Sequence, residues 1–95
     1  MAGWTFLTNH SHVLFCLDRD NNARLRDVAA EVGLTERAAQ RIVSDLVEAG
    51  YLERHREGRN NSYVVHKDMP LRHPLEDHRS IGDILGVLRS RARRS

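Results

Sequence analysis

The sequence predicts a mostly α-helical fold with one small β-hairpin: a three-helix core, a two-stranded hairpin and an additional C-terminal helix. Three observations predict it. Before Gly50, apolar residues recur in three stretches at the three- and four-residue spacing of a helix face. After Gly50 the pattern becomes strand-like, in two runs separated by Glu57-Gly58-Arg59-Asn60-Asn61. Beyond Pro70 and Pro74, helical spacing returns at Ile81, Ile84, Leu85 and Leu88.

Each element has local signals. Residues 1–8 read as a short arm in which Trp4, Phe6 and Leu7 are apolar enough to pack on the domain or on a partner. Thr8 or Asn9 is the expected N-cap of the first helix, whose stripe is Val13, Leu14 and Leu17, continued backwards by His10 and Phe6. The polar cluster Asp18 to Asn22 ends it. The second helix is expected from about Arg26 to Val32, with Leu25, Val28, Ala29 and Val32 inward. Gly33 then suits a left-handed helix stop, Leu34 plugs the corner, and Thr35 caps a third helix from about Glu36 to Ala49. Ala39, Ile42, Val43 and Leu46 form its inward face, and Gly50 stops it.

Strands are expected at 51–56 and 62–66, with a basic, polar tip between them. The last helix starts either near Leu75 or at Ile81, where Ser80-Ile81-Gly82-Asp83 offers a capping box. A basic tail, Arg89 to Ser95, follows. The expected division is a unit at 1–70 and a linker plus terminal helix at 71–95.

Composition narrows the function. With 95 residues, 40% hydrophobic and 29% charged, the chain suits one small globular domain. There is no apolar run of membrane-spanning length and no leader-like N-terminus, so a cytoplasmic location is expected. The single cysteine, Cys16, fits a small core residue. The six histidines show no metal-ligand spacing, and no nucleophile elbow, phosphate loop or metal motif is present. No cofactor and no catalytic residue are therefore expected. The net charge is only +2, while Lys67 is the only lysine, so the positions of the arginines carry more information than the sum.

The ordered set Leu25-Arg26-Asp27-Val28-Ala29-Ala30-Glu31-Val32-Gly33-Leu34-Thr35-Glu36-Arg37, then Ile42 to Leu52, then a Gly-Arg hairpin tip, resembles the winged helix-turn-helix regulators, and among them the MarR-like group. The likeness covers roughly residues 23–66. It implies double-stranded DNA as partner, a recognition helix at 36–49 in the major groove, a wing at 54–62 on backbone or minor groove, and dimerisation through the terminal helices. The chain departs from a full MarR-type protein by lacking the long helices that build a ligand pocket, so no small-molecule effector is evident.

Helix geometry leads to the same residues. With Ala39, Ile42, Val43 and Leu46 inward, the opposite face shows Arg37, Gln40, Arg41 and Ser44. Arginine can fork onto guanine and glutamine onto adenine, while Ser44 can reach a phosphate or simply clear the backbone. Thr35 belongs to the same end, and Glu36 suits the positive end of the helix dipole. In the wing, Arg59 is the candidate for the minor groove, Arg56 for phosphate, and Asn60 lies beside them. Arg24 and Arg26, where the second helix begins, could hold phosphates and set register.

A homodimer is expected, its seam formed by Trp4, Phe6, Ile81, Ile84, Leu85 and Leu88. Gly82 and Gly86 could let another helix approach, although the terminal helix could instead fold back on the first. The rival class is a winged-helix module that binds protein rather than DNA. It predicts arginines scattered, or neutralised by Glu36, Asp45 and Glu57.

Overall fold

The computed structural model describes residues 3–89; the basic tail expected beyond Arg89 lies outside the described residues. The elements are α1 (Asn9–Arg19), α2 (Leu25–Val32), α3 (Glu36–Glu48), β1 (Leu52–Glu57), β2 (Asn60–Val65) and α4 (Ile81–Arg89). This is the expected order of three helices, a hairpin and a fourth helix.

α1 begins where Thr8, in extended conformation, accepts a hydrogen bond from the Ser11 amide. Phe6 therefore precedes the helix and is 92% exposed, rather than extending its apolar stripe. His10 is exposed too, pairing through Nε2 with Asp45 on α3 at 3.0 Å. The true stripe is Val13, Leu14, Cys16 and Leu17, all buried. Cys16 is the expected core residue, and burial pushes its thiol pKa up.

α2 stops at Gly33, whose φ of 92° lies in the left-handed region that glycine adopts without steric cost. Thr35 Oγ1 then accepts from the Ala38 amide at 3.1 Å and starts α3. Ala39, Ile42, Val43 and Leu46 are buried, as their spacing requires. α2 and α3 each pack against α1.

The hairpin is antiparallel, with Leu52 opposite Val65 and Glu57 opposite Asn60. Its loop is tighter than the five polar residues suggest. Asn60 and Asn61 belong to β2, and only Gly58 and Arg59 turn the chain. Gly58 has φ 64° and Arg59 does not have positive φ, the pattern of a two-residue turn with glycine first. At the hairpin base, Leu52 and Tyr63 are buried. The Tyr63 amide donates to Asn21 O at 3.0 Å, docking the α1–α2 turn on β2.

The C-terminal segment is stitched to this body. Tyr51 Oη donates to Pro70 O at 2.6 Å, and the Ile81 and Gly82 amides donate to Met69 O and Lys67 O. The capping box sets the start of α4 at Ile81: Asp83 Oδ2 accepts from the Ser80 amide, and Ser80 Oγ from the Asp83 amide. α4 folds back on α1 and buries Leu85. At Gly82 an added Cβ would lie 3.1 Å from Lys67 O, so this glycine admits the chain's own backbone rather than another helix; Gly86 faces open space. Asp18, whose side chain is 7% exposed, binds both Lys67 Nζ (3.1 Å) and Arg89. One carboxylate thus ties α1 to both ends of the C-terminal segment.

Leu85→Ala removes the residue that seats α4. Its expected cost is about 2–5 kcal/mol in urea unfolding, the range for emptying a buried leucine site. A second expectation concerns Glu31, which accepts from Arg19 across α1 and α2. The Arg19 guanidinium holds the Glu31 carboxyl below its usual 4.5. On unfolding, that pKa rises, so the unfolded chain takes up the proton first as pH falls. The contribution is therefore complete above the ordinary glutamate range and lost as pH falls through the lowered folded value. Glu31→Gln should destabilise near neutral pH, and its difference from wild type should vanish once the pH has fallen below the lowered folded value.

Candidate nucleic-acid interface

The candidate surface begins with α3. Its inner residues fix its roll against α1 and α2, so the residues between them must face out. Arg37, Gln40, Arg41 and Ser44 are all exposed and line one shallow depression together with Thr35 and Ala38. The structure therefore gathers five of the sequence-selected residues on one patch. Thr35 Oγ1 spends an acceptor lone pair on the cap, which leaves its hydroxyl hydrogen free to donate to a phosphate.

Arg24 and Arg26 are exposed at the start of α2. Arg24 occupies the N-cap position but makes no side-chain cap there, so its guanidinium is not used by the helix. On the hairpin, alternation puts Arg54 and Arg56 on one side of β1, opposite Tyr63 and Asn61. Arg56 Nε donates to Gly58 O at 3.0 Å, holding the side chain along the tip while its terminal amines stay available. Arg59 sits at the turn, and Asn60 is exposed beside it.

The pairing of charges is segregated. Arg19, Lys67, Arg79 and Arg89 are each held by a carboxylate. Among the described residues, no ion pair engages Arg24, Arg26, Arg37, Arg41, Arg54, Arg56 or Arg59, nor, away from this surface, Arg72. Two of the acidic residues that could have neutralised the patch are engaged elsewhere, and Glu36 forms no ion pair with it among the described residues. Asp45 pairs with His10, and Glu57 accepts from Ser62 Oγ. Glu53 is drawn to His55 and His66, whose hydrogen bonds hold its carboxyl below the usual glutamate range. Unpaired guanidinium groups on an exposed helix and hairpin tip are what a polyanionic backbone requires.

Comparison with known proteins agrees with this geometry. Residues 7–53 match the family described as winged helix-turn-helix DNA-binding. The chain carries a winged helix-turn-helix DNA-binding domain. It is similar to the PcaV transcriptional regulator from Streptomyces coelicolor, solved in complex with its natural ligand, with 26% identity and a TM-score of 0.55. That likeness covers 62% of this chain and 44% of PcaV, so the chain spans less than half of that regulator's length. It also shares the fold of T. potens IscR, with a TM-score of 0.64 at 15% identity over 90% of this chain and 89% of that one. A search of curated proteins finds no match.

In this winged helix-turn-helix domain α3 is the recognition helix and the β1–β2 hairpin the wing. Three features escaped sequence reasoning. Arg54 stands across from the buried Tyr63, a pairing visible only once the strand register is known. Asp18 was read as part of a polar turn, because its partners are far away in sequence. The third is a cleft of about 630 Å³ between the start of α1, the end of α3 and the 71–76 segment. Its walls come from three separated stretches, so no local pattern announces it. Among the described residues no cluster of metal-ligating side chains occurs, and no helix is long and apolar enough to cross a membrane.

Because Arg41 and Arg59 are exposed and unpaired, their alanine variants should unfold within about 0.5 kcal/mol of wild type. Thr35→Ala should lose about 1 kcal/mol through its cap. Urea midpoints measured side by side check both.

Proposed function

We propose that the protein is a cytoplasmic transcriptional regulator that binds double-stranded DNA as a homodimer and acts by occupancy, without catalysis. The observation that carries this reading is the distribution of charge: the arginines of α3, the wing and the start of α2 enter no ion pair among the described residues, while Arg19, Lys67, Arg79 and Arg89 are held by carboxylates.

In this mechanism α3 enters the major groove. Arg37, Gln40 and Arg41 read base edges, and Ser44 and Thr35 meet the backbone. Arg24, Arg26 and Arg56 hold phosphates and fix register. Arg59, with Asn60 beside it, reaches the minor groove, where narrow A-T-rich segments attract arginine. The molecule measures 38 × 30 × 28 Å. A two-fold dimer of this size can set equivalent helices about one DNA turn, roughly 34–36 Å, apart on a pseudo-palindrome.

The expected seam needs one change from the sequence reading. Leu85 is buried within its own chain, and Ile81, Ile84 and Leu88 are half-buried along the same helix. Trp4 and Phe6 remain uncovered and become the principal candidates.

Fluorescence anisotropy with genomic duplex fragments at several salt concentrations tests the proposal. Affinity should fall steeply as salt rises. Arg56→Ala should weaken all sequences alike, and Arg41→Ala should lose about 1–3 kcal/mol on the preferred site while relaxing its selectivity. No binding to any duplex at low salt would refute it.

A further inference from the structure

Two uncovered apolar features lie next to each other in the chain. The first is the arm. Trp4 and Phe6 are 68% and 92% exposed, and their rings meet edge to face with centroids 5.0 Å apart. They form a small preassembled aromatic wedge with no core beneath it. The second is the cleft, whose wall includes Leu14, Leu46, Ala49, Leu71 and Ile81. Thr8 lines the cleft, yet Trp4 and Phe6 of the same chain stay outside it.

We propose that the arm of one copy fills the cleft of a second copy, reciprocally across the two-fold axis of the dimer. This rests on the homodimeric reading above and names its contact. Extended, four residues reach about 14 Å beyond Thr8, enough to cross from one cleft rim into the facing one. The area is sufficient. A covered tryptophan or phenylalanine buries about 150–250 Å². Two exchanged arms, together with the cleft walls they cover, reach roughly 900–1,300 Å², at the lower end for a specific interface.

The chemistry is complementary as well. A buried indole needs an acceptor for its N–H. The rim supplies carboxylates at Glu48 and Glu76, neither of which forms an ion pair among the described residues. The other rim carboxylate, Asp45, is already taken by His10. Because the contact is reciprocal it closes on itself and limits the assembly to two copies. It also touches the end of α3 opposite Thr35, leaving the Arg37 to Ser44 face free for DNA.

Trp4 is the chain's one tryptophan, so its emission reports the arm directly. The experiment follows emission and acrylamide quenching over a dilution series of the full chain, with sedimentation velocity on the same samples. The expected result is a blue-shifted emission and several-fold weaker quenching that appear together with the dimer. Both should be lost in Phe6→Ala and in Leu71→Asp. Should Leu71→Asp fail to fold, two exposed positions give a second test. Chains carrying Gly3→Cys and chains carrying Glu76→Cys should form a mixed disulfide faster than either forms one alone. A dimer in which Trp4 stays fully quenchable would overturn the arm exchange and leave the homodimer standing. Monomers throughout, with duplex binding retained, would remove both. Protection that does not change on dilution would mean that the arm enters its own cleft, and would also overturn the proposal.

Discussion

Everything in this fold leans on one buried face of α1. Val13 and Leu17 are fully shielded, and α2, α3, β2 and α4 all pack against that helix. Four elements sharing one apolar stripe is an economical answer for a chain of this length, which has too few residues for two cores. The answer has a geometric consequence. Once α3 spends Ala39, Ile42, Val43 and Leu46 on α1, helix periodicity sends Arg37, Gln40, Arg41 and Ser44 to solvent. The reading surface follows from the packing of the core and needs no separate scaffold.

The same constraint positions the wing. Tyr63 and Leu52 are buried at the hairpin base, while the Tyr63 amide is tied to Asn21. The hairpin then projects beyond the core, and its far end carries only polar and basic side chains. The tight Gly58-Arg59 turn limits how far Arg59 can wander, and Arg56 is held against the tip by the Gly58 carbonyl. Electrostatics completes the arrangement. Carboxylates near the core and on the outer side of the wing are engaged by their own neighbours, so the recognition face keeps its positive charge.

The parts legible in the sequence were those written in local spacing. Gly33, Thr35 and Gly50 mark the limits of α2 and α3, and the apolar period of α3 identifies its outer face. Ser80 and Asp83 announce the start of α4. What the sequence hid depends on long-range partners. Asp18 looks like a turn residue until Lys67 and Arg89 arrive beside it. Phe6 sits at helical spacing from His10 and Val13, yet Thr8 starts the helix after it, so the apparent stripe is broken by the cap. The five polar residues of the wing suggest an open loop, whereas positive φ at Gly58 closes it in two. The cleft is built from stretches that no periodicity connects.

The central claim is that the outer face of α3 and the wing tip form one DNA-binding surface. An amide chemical-shift titration with duplex DNA tests it residue by residue. The account predicts that the largest shifts fall in 35–44 and 56–60, with smaller ones at 24–26. Shifts concentrated instead on α4 or the 71–76 segment, with 35–44 unmoved, would contradict it.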